Sequence, residues 1–214
     1  MSKVQSTPGL LSSPFKLHLE RIGRRFFPRR LMLGLVAVLP AAFVVRPGNL
    51  FGQYQVIGLL GSLLLVILGL ALRAWAASMA GSHTRTVHIE APRLATGGPY
   101  SYVRNPIYLG SIILGAGMVG LIGDPWMALF YGATFAALYF GIIPAEEEFL
   151  RQKFGAEYLS YCEAVPRLLP RCQAWAQARE GESNWFPARG EFHLALLLAG
   201  IYGVLRLAAW LRGV

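Results

Sequence analysis

The chain has 214 residues, of which 55% are hydrophobic and 14% are charged, and its formal net charge is +9. Soluble domains carry about 25% charged residues, so this composition excludes an ordinary soluble nucleic-acid-binding protein despite the basic charge. It also excludes a disordered chain, because disorder requires low hydrophobicity. The composition therefore predicts an integral membrane protein whose positive charge marks one membrane face.

Five apolar stretches are candidates to cross a bilayer, which takes about 20 apolar residues in a helix. In hydrocarbon, the backbone N–H and C=O groups must form hydrogen bonds within their own segment. We therefore expect an all-α, polytopic transmembrane bundle. The fourth stretch follows the third almost directly, which predicts a tight antiparallel helical hairpin. The five stretches are 31–45 (interrupted by Pro40), 51–72, 107–123, 125–144 and 192–211.

The basic residues are distributed unevenly between the connections. Of the 20 Lys and Arg residues, all but Arg46, Arg206 and Arg212 precede the first stretch, or lie between the second and third or the fourth and fifth. Lys and Arg accumulate on the cytoplasmic side, so we expect a multi-pass protein with a cytoplasmic N-terminus. That face would contact anionic lipids, and no nucleic-acid partner is expected.

These features divide the chain into four predicted regions. Residues 1–30 form a basic arm, which is either an amphipathic helix on the membrane surface or a solvated tail. Residues 31–91 hold two spans and a cytoplasmic connection, and residues 92–170 hold the next two spans with their polar flanks. Residues 171–214 hold a cytosolic connector and the last span.

Metal chemistry is not expected. Cys162 and Cys172 both lie on the predicted cytoplasmic side, where thiols stay reduced, and no histidine is near them. The histidines form no pair at metal-ligand spacing.

Polar residues concentrate in two segments, 96–110 and 144–170, which the hairpin brings to the same cytoplasmic membrane face. In the first segment, Asn105 and Pro106 predict a helix start, with Asn as the N-cap. Arg104 beside that helix N-terminus suits a carboxylate or phosphate ligand, and it equally suits an interfacial arginine.

The second segment holds Glu146, Glu147 and Glu148 at the end of the fourth span. Acidic groups at membrane depth are rare and usually functional. If the helix continues past Pro144, Glu147 pairs with Arg151 one turn later and Glu146 has no partner in the sequence. The cluster therefore predicts a cationic ligand.

Together the segments carry the pattern GPYxxxRxPxYxG over 98–110 and EExxLxxxFGxxYxxYxxxVPR over 146–167. This pattern resembles the isoprenylcysteine carboxyl methyltransferase and phospholipid methyltransferase superfamily of integral membrane enzymes. The resemblance implies a methyltransferase that uses S-adenosylmethionine, held in a cytosol-facing pocket. It also implies a lipophilic acceptor, which is either a carboxylate or an amine.

S-adenosylmethionine carries a sulfonium, an ammonium and a carboxylate, so its pocket needs both acids and a base. By resemblance, Glu146 binds the cofactor and Glu147 supports it. Arg104, which would meet a carboxylate, and Glu147 are the predicted catalytic residues. The other predicted cofactor-binding residues are Arg93, Leu94, Ala95, Tyr100, Asn105, Pro106, Ile107 and Tyr108.

Two positions depart from the family pattern. Asn105 replaces the histidine of an Arg-His-Pro motif, and asparagine cannot shuttle a proton near neutral pH. Eukaryotic prenylcysteine enzymes of the family carry an arginine one turn before the paired acids, where this chain has Ile142. That difference argues against a prenylcysteine substrate in particular.

Two other functions stay open at this point. Membrane sterol reductases share an Arg-x-Pro-x-Tyr motif and bind NADPH, but three glutamates suit its 2′-phosphate poorly. A non-enzymatic membrane scaffold would use the arginines for topology and the glutamates as a solvated helix end. The sequence leaves the acceptor and the oligomeric state undetermined.

Overall fold

The structure is a computed structural model, and it describes residues 46, 48, 50–80, 93–179, 184–185 and 188–213. All of them belong to one unit, residues 40–214. The predicted basic arm and the predicted first span lie outside the described residues.

The described residues form helices joined by turns and contain no strand, which confirms the predicted all-α class. Two short 3-10 turns, Gly52–Tyr54 and Gly98–Ser101, precede the first two α-helices. The helices are α1 (Gln55–Ala80), α2 (Pro106–Ile122), α3 (Pro125–Ala137), α4 (Ile143–Phe154), α5 (Ala156–Ala164) and α6 (Arg189–Leu211), with a π-helical segment (Leu138–Ile142) between α3 and α4.

By length and composition, two of the described helices could cross a membrane, Gly52–Ala80 and Arg189–Leu211. Their large apolar side chains are largely exposed, as Ile57 and Trp210 illustrate. Exposed apolar surface of this extent is typical of helices that face lipid. Helix α2 is apolar but has only 17 residues. The described structure thus contains two candidate spans, where the sequence predicts about five in the whole chain.

The helical hairpin between α2 and α3 turns within two residues. Gly123 ends α2 at φ +76°, a left-handed conformation that glycine adopts without a Cβ penalty. Asp124 Oδ1 then accepts hydrogen bonds from the backbone N–H groups of Trp126, at 2.7 Å, and Met127, at 3.2 Å. These bonds cap α3, and Pro125 occupies its first position.

Helices α1 and α2 make the most extensive contact between described elements, and glycines allow it. A Cβ at Gly117 would lie 2.6 Å from the Ser62 carbonyl oxygen, and a Cβ at Gly69 would lie 2.5 Å from the Leu114 nitrogen. The backbones are therefore too close for any side chain at these positions. Packing of this kind fixes α2 firmly against α1.

A largely buried ion pair joins α1 to α6. Arg73 Nε donates to Glu191 Oε2 at 2.7 Å, and Arg73 Nη2 donates to Glu191 Oε1 at 3.1 Å. Arg73 Nη1 also donates to Ser111 Oγ on α2. The charge pattern predicts only a topological role for Arg73, and the sequence assigns no role to the last span. In the structure, this arginine connects three helices.

The helix that leaves the hairpin continues through Pro144 into α4. Proline has no N–H to donate to the preceding turn, and the π-helical segment Leu138–Ile142 comes just before it. The chain therefore carries Glu146, Glu147 and Glu148 on a helix rather than on a loop.

Candidate functional site

The two polar segments of the sequence lie against each other. The backbone N–H of Arg104 donates to the Pro166 carbonyl at 2.9 Å, and that of Arg171 donates to the Tyr102 carbonyl at 3.0 Å. The chain that follows α5 therefore runs beside the residues that lead into α2. Glu147 of α4 faces this junction.

Glu147 is the centre of a charged network, and its side chain is only 5% exposed. Its Oε2 atom accepts hydrogen bonds from Arg167 Nε at 3.0 Å and Nη2 at 2.7 Å. Its Oε1 atom accepts one from Asn105 Nδ2 at 3.1 Å and lies 3.7 Å from Arg104 Nε. One carboxylate thus faces two guanidinium groups, which leaves the network with one excess positive charge.

The two arginines differ in their surroundings. The Arg104 side chain is 15% exposed, and its Nε atom is buried with no hydrogen-bond partner among the described residues. A buried unpaired donor is costly, so this atom suits a further acceptor. The Arg167 side chain is 37% exposed and lies over the Tyr139 ring, 5.9 Å from its centroid. Hydrogen bonding to Glu147 raises the pKa of Arg167, which keeps its charge.

The predicted pairing of Glu147 with Arg151 is wrong. Arg151 Nη1 lies 3.6 Å from Glu148 Oε2, and both of these side chains are exposed. Successive helical residues point about 100° apart, so Glu147 and Glu148 face different surroundings. Tertiary contacts with arginines distant in sequence therefore replace the local pair.

The predicted role of Asn105 as an N-cap is only partly correct. Asn105 occupies the N-cap position of α2, but its side chain makes no capping hydrogen bond. Its amide instead donates to Glu147 and, at 3.2 Å, to the Arg167 carbonyl. The side chain joins the two polar segments across the site.

Glu146 lies in a different environment from Glu147. Its half-buried carboxylate accepts a 2.8 Å hydrogen bond from the Tyr108 hydroxyl. Burial raises the pKa of Glu146, and the bond from Tyr108 partly opposes that shift. Burial also raises the pKa of Tyr100 well above its usual range, and the nearby Glu146 charge raises it further. Among the residues that the structure describes, no cation pairs with Glu146.

The structure sorts the predicted site residues into two groups. Glu146 lies with Tyr100 and Tyr108, whereas Glu147 lies with Arg104 and Asn105. In the part of the chain that the structure describes, the remaining predicted residues make no hydrogen bond or ion pair with the side chains of Glu146 or Glu147. Pro106 is buried, Ala95 and Ile107 are half-buried, Arg93 is exposed, and Leu94 packs on the cluster of Tyr158, Tyr161 and Val165.

An apolar groove of about 440 Å³ opens beside the Glu147 network, and Arg167 contributes to its wall. The sequence gives no separate role to Arg167, although its place in the second motif was an available signal. The other residues of the groove come from α2, from α3 and the π-helical segment, and from the chain after α5: Leu109, Ile112, Phe135, Tyr139, Pro166, Leu168 and Leu169.

Comparison with known proteins finds a family model that matches part of the chain. Residues 57–157 match the family model "Phospholipid methyltransferase", and this range contains Glu146, Glu147 and the tyrosines around them. No solved structure matches the chain.

Particular relatives agree with the family match. The chain is 34% identical over 112 residues to protein-S-isoprenylcysteine O-methyltransferase B of Arabidopsis thaliana, which covers 50% of this chain and 57% of the relative. It is 33% identical over 122 residues to a probable protein-S-isoprenylcysteine O-methyltransferase of Oryza sativa subsp. indica, covering 55% and 63%. It is also 35% identical over 96 residues to the cobalt-zinc-cadmium resistance protein CzcN of Cupriavidus metallidurans, covering 43% and 40%.

These matches support the resemblance that the two sequence motifs carry, to the superfamily of isoprenylcysteine carboxyl methyltransferases and phospholipid methyltransferases. The chain spans between 40% and 63% of the length of these three relatives.

Proposed function

We propose that the protein is an integral membrane methyltransferase that transfers a methyl group from S-adenosylmethionine to a lipophilic acceptor. The family match and the exposed apolar helices support membrane methyl transfer. One observation supports this methyl donor in particular. Glu146 is a half-buried carboxylate whose partner is a tyrosine hydroxyl, whereas the neighbouring Glu147 faces two arginines.

The residues present fit the ionic groups of S-adenosylmethionine. Its ammonium and sulfonium are cations, and Glu146 is an anion without a cation among the described residues. Its carboxylate is an anion, and Arg104 has a buried N–H that finds no acceptor among the described residues. Charge-assisted hydrogen bonds of this kind are stronger than neutral ones. Glu146 would therefore hold the cationic groups, and Arg104 would hold the carboxylate.

S-adenosylmethionine supplies a methyl group that its positive sulfur already activates. The protein therefore contributes mainly alignment and exclusion of water. Tyr108 orients the Glu146 carboxylate through its hydrogen bond, and Glu147 keeps Arg104 and Arg167 in place. Asn105 fixes the Glu147 side chain and does not titrate near neutral pH, so it moves no proton.

Calorimetric titration of the purified protein in detergent tests this proposal. We expect S-adenosylmethionine and its demethylated product to bind with micromolar Kd, and NADPH not to bind. Glu146→Gln should weaken binding of S-adenosylmethionine at least ~10-fold, the loss expected for a hydrogen bond to a charged group. Glu148→Gln is the matched control, because Glu148 is exposed and contacts Arg151 and Gln152.

The other outcomes separate the remaining functions. Binding of NADPH alone would identify a reductase. A folded protein that binds none of the three ligands would favour a scaffold. Equal binding losses in the Glu146 and Glu148 variants would contradict the role given to Glu146, provided that both variants keep the melting temperature of the wild-type protein.

A further inference from the structure

We propose that Tyr161 is a positioning residue for the cofactor-binding site. Its hydroxyl fixes the short 3-10 turn Gly98–Ser101, and this turn holds the Tyr100 side chain beside Glu146. Tyr161 acts through Tyr100 and not through contact with the cofactor. The motif over 146–167 contains this tyrosine, but the pattern alone gives it no role. The inference rests on the proposed function, because it concerns the affinity of the same site for S-adenosylmethionine.

The Tyr161 hydroxyl makes a contact outside its own helix. Tyr161 lies on α5 with only 2% of its surface exposed, and its ring packs against the rings of Tyr158 and Trp175. A phenylalanine would fill this space equally well, and a buried hydroxyl is costly unless it is hydrogen-bonded. The hydroxyl donates to the Tyr100 carbonyl at 2.7 Å. Burial raises the pKa of Tyr161 well above its usual range, so it keeps the proton that it donates.

The turn that carries Tyr100 is held by α1 and by the chain around α5. Gly98, at φ +56°, lies so close to α1 that a Cβ there would be 2.8 Å from a side-chain atom of that helix. The backbone N–H of Trp175 donates to the Ser101 carbonyl at 3.0 Å. Tyr161 adds the bond to the Tyr100 carbonyl. This last bond comes from a side chain, so one substitution removes it and leaves the backbone bond in place.

Tyr100 lies close to the carboxylate that the proposed function assigns to the cofactor. Burial raises the pKa values of Tyr100 and Tyr108, and the negative charge of Glu146 raises both further. The Tyr108 hydroxyl also donates to Glu146 at 2.8 Å. The two tyrosines therefore limit how much water reaches the carboxylate. Attraction between a carboxylate and a cation is stronger where water is excluded, so a shift of the turn would weaken the binding of the cofactor.

Removing the Tyr161 hydroxyl should therefore weaken the binding of S-adenosylmethionine without unfolding the protein. We expect Tyr161→Phe to raise the Kd of S-adenosylmethionine ~5-fold, because the ring stays in place and one hydrogen bond is lost. Calorimetric titration of the purified protein in detergent measures the Kd, and thermal melting checks that the variant is folded.

Tyr158→Phe is the matched control. Tyr158 lies about one turn earlier on α5 and is 1% exposed, and its hydroxyl forms a hydrogen bond with Cys162 of the same helix. The control therefore loses a hydroxyl at an equally buried position of the same helix, with no bond to the turn. It should keep the Kd of S-adenosylmethionine within about twofold of wild type.

A double-mutant cycle with Glu146→Gln distinguishes positioning from a general loss of packing. If Tyr161 acts through the surroundings of Glu146, its hydroxyl matters less once residue 146 carries no charge. We expect Tyr161→Phe to change the Kd less than about twofold when Glu146→Gln is already present. A loosened fold would instead weaken binding by the same factor with and without Glu146→Gln.

If Tyr161→Phe does not fold, Trp175→Leu carries the same comparison. This variant removes the ring that packs on Tyr161, with 5.5 Å between the ring centroids, and it leaves the backbone bond to Ser101 in place. It should raise the Kd of S-adenosylmethionine ~3-fold, the loss expected for one aromatic pair. With Glu146→Gln present, the change should again be less than about twofold.

The inference is overturned if Tyr161→Phe leaves the Kd within twofold of wild type, or if it weakens binding by the same factor with and without Glu146→Gln. An equal loss in Tyr158→Phe would also overturn it. The proposed function stands in each of these cases, because wild type binds S-adenosylmethionine in all of them. Failure of wild type to bind S-adenosylmethionine would instead overturn the proposed function, and this inference with it.

Discussion

Tyr108 donates a 2.8 Å hydrogen bond to Glu146, and this bond connects the first turn of α2 to the first turn of α4. The donor is neutral, so it orients the carboxylate, and no cation in the described part of the chain pairs with its negative charge. One residue later, Glu147 meets two guanidinium groups. The two adjacent acids thus differ in their partners: Glu146 is a candidate site for a cationic ligand, and Glu147 holds two arginines of the protein.

Removing the Tyr108 hydroxyl should weaken the binding of S-adenosylmethionine. In Tyr108→Phe, the Glu146 carboxylate loses its fixed donor and must be oriented when the ligand binds. We expect a Kd increase of ~5- to 10-fold, which corresponds to about 1 kcal/mol for one hydrogen bond. Calorimetry measures this effect, with Tyr102→Phe as the control for loss of a hydroxyl nearby. A similar increase in both variants would contradict the specific role of Tyr108.

Binding of S-adenosylmethionine should depend on pH through Glu146. Burial raises the pKa of this carboxyl above its ordinary value of 4.5. The cation binds the ionised form, so affinity should be constant above the raised pKa and should fall ~10-fold for each further pH unit below it. The Kd should be measured below about pH 7, where the amino group of S-adenosylmethionine stays protonated.

Two variants check the assignment of this pH dependence. Glu146→Gln should remove it, because no carboxyl remains to titrate there. Tyr108→Phe should move the midpoint to higher pH, because its hydrogen bond lowers the pKa of Glu146. A midpoint that stays unchanged in Glu146→Gln would assign the titration to another group.

The sequence predicts the elements of this site better than its contacts. The hairpin follows from the short connection between two apolar stretches, and the start of α2 follows from Asn105 and Pro106. The adjacency of the two polar segments follows from that hairpin. Glu146 stands out because the sequence gives it no partner, and its described partner is a neutral hydroxyl.

Contacts between distant residues could not be read from the sequence in the same way. Arg167 is 20 positions from Glu147, and Glu191 is 118 positions from Arg73. Which acid meets which arginine depends on how the helices pack, and local periodicity offers a closer but wrong partner, Arg151. Periodicity predicts which residues share a face of a helix, but it does not predict which residues pack against that face.

Neutralising Glu147 should destabilise the protein strongly. Glu147→Gln leaves the largely buried Arg104 without its carboxylate and removes the negative charge that the two Arg167 hydrogen bonds meet. Breaking a buried pair costs about 3–5 kcal/mol, and we expect the lower end, because the more exposed Arg167 can turn toward water. Thermal melting in detergent measures the change. Glu148→Gln is the control, since its 52% exposed side chain should contribute about 0.5 kcal/mol or less. Equal melting temperatures for the two variants would show that the network does not hold the site together.

The ion pair between Arg73 and Glu191 should couple α1 to α6 energetically. We expect Arg73→Met and Glu191→Gln each to destabilise the protein, and the double variant to lose less than the sum. A coupling free energy of about 2 kcal/mol is reasonable for a pair with side chains only 19% and 9% exposed. The four proteins of this cycle are compared by thermal melting under one detergent condition. A coupling near zero would mean that each side chain acts through other contacts.

Alanine substitutions at two helical glycines should change the free energy of unfolding in opposite directions, because only one of the two glycines lies where α1 packs closely on α2. An alanine Cβ at Gly117 would lie 2.6 Å from the Ser62 carbonyl oxygen, so Gly117→Ala must push the two backbones apart. We expect it to cost about 1–3 kcal/mol, as other overpacked positions do. A Cβ at Gly132 on α3 would meet no atom within 4 Å. Gly132→Ala should therefore stabilise the helix by about 0.5–1 kcal/mol through the lower backbone entropy of the unfolded chain. If Gly117→Ala melted at or above the wild-type temperature, α1 and α2 would not be in the close contact described above.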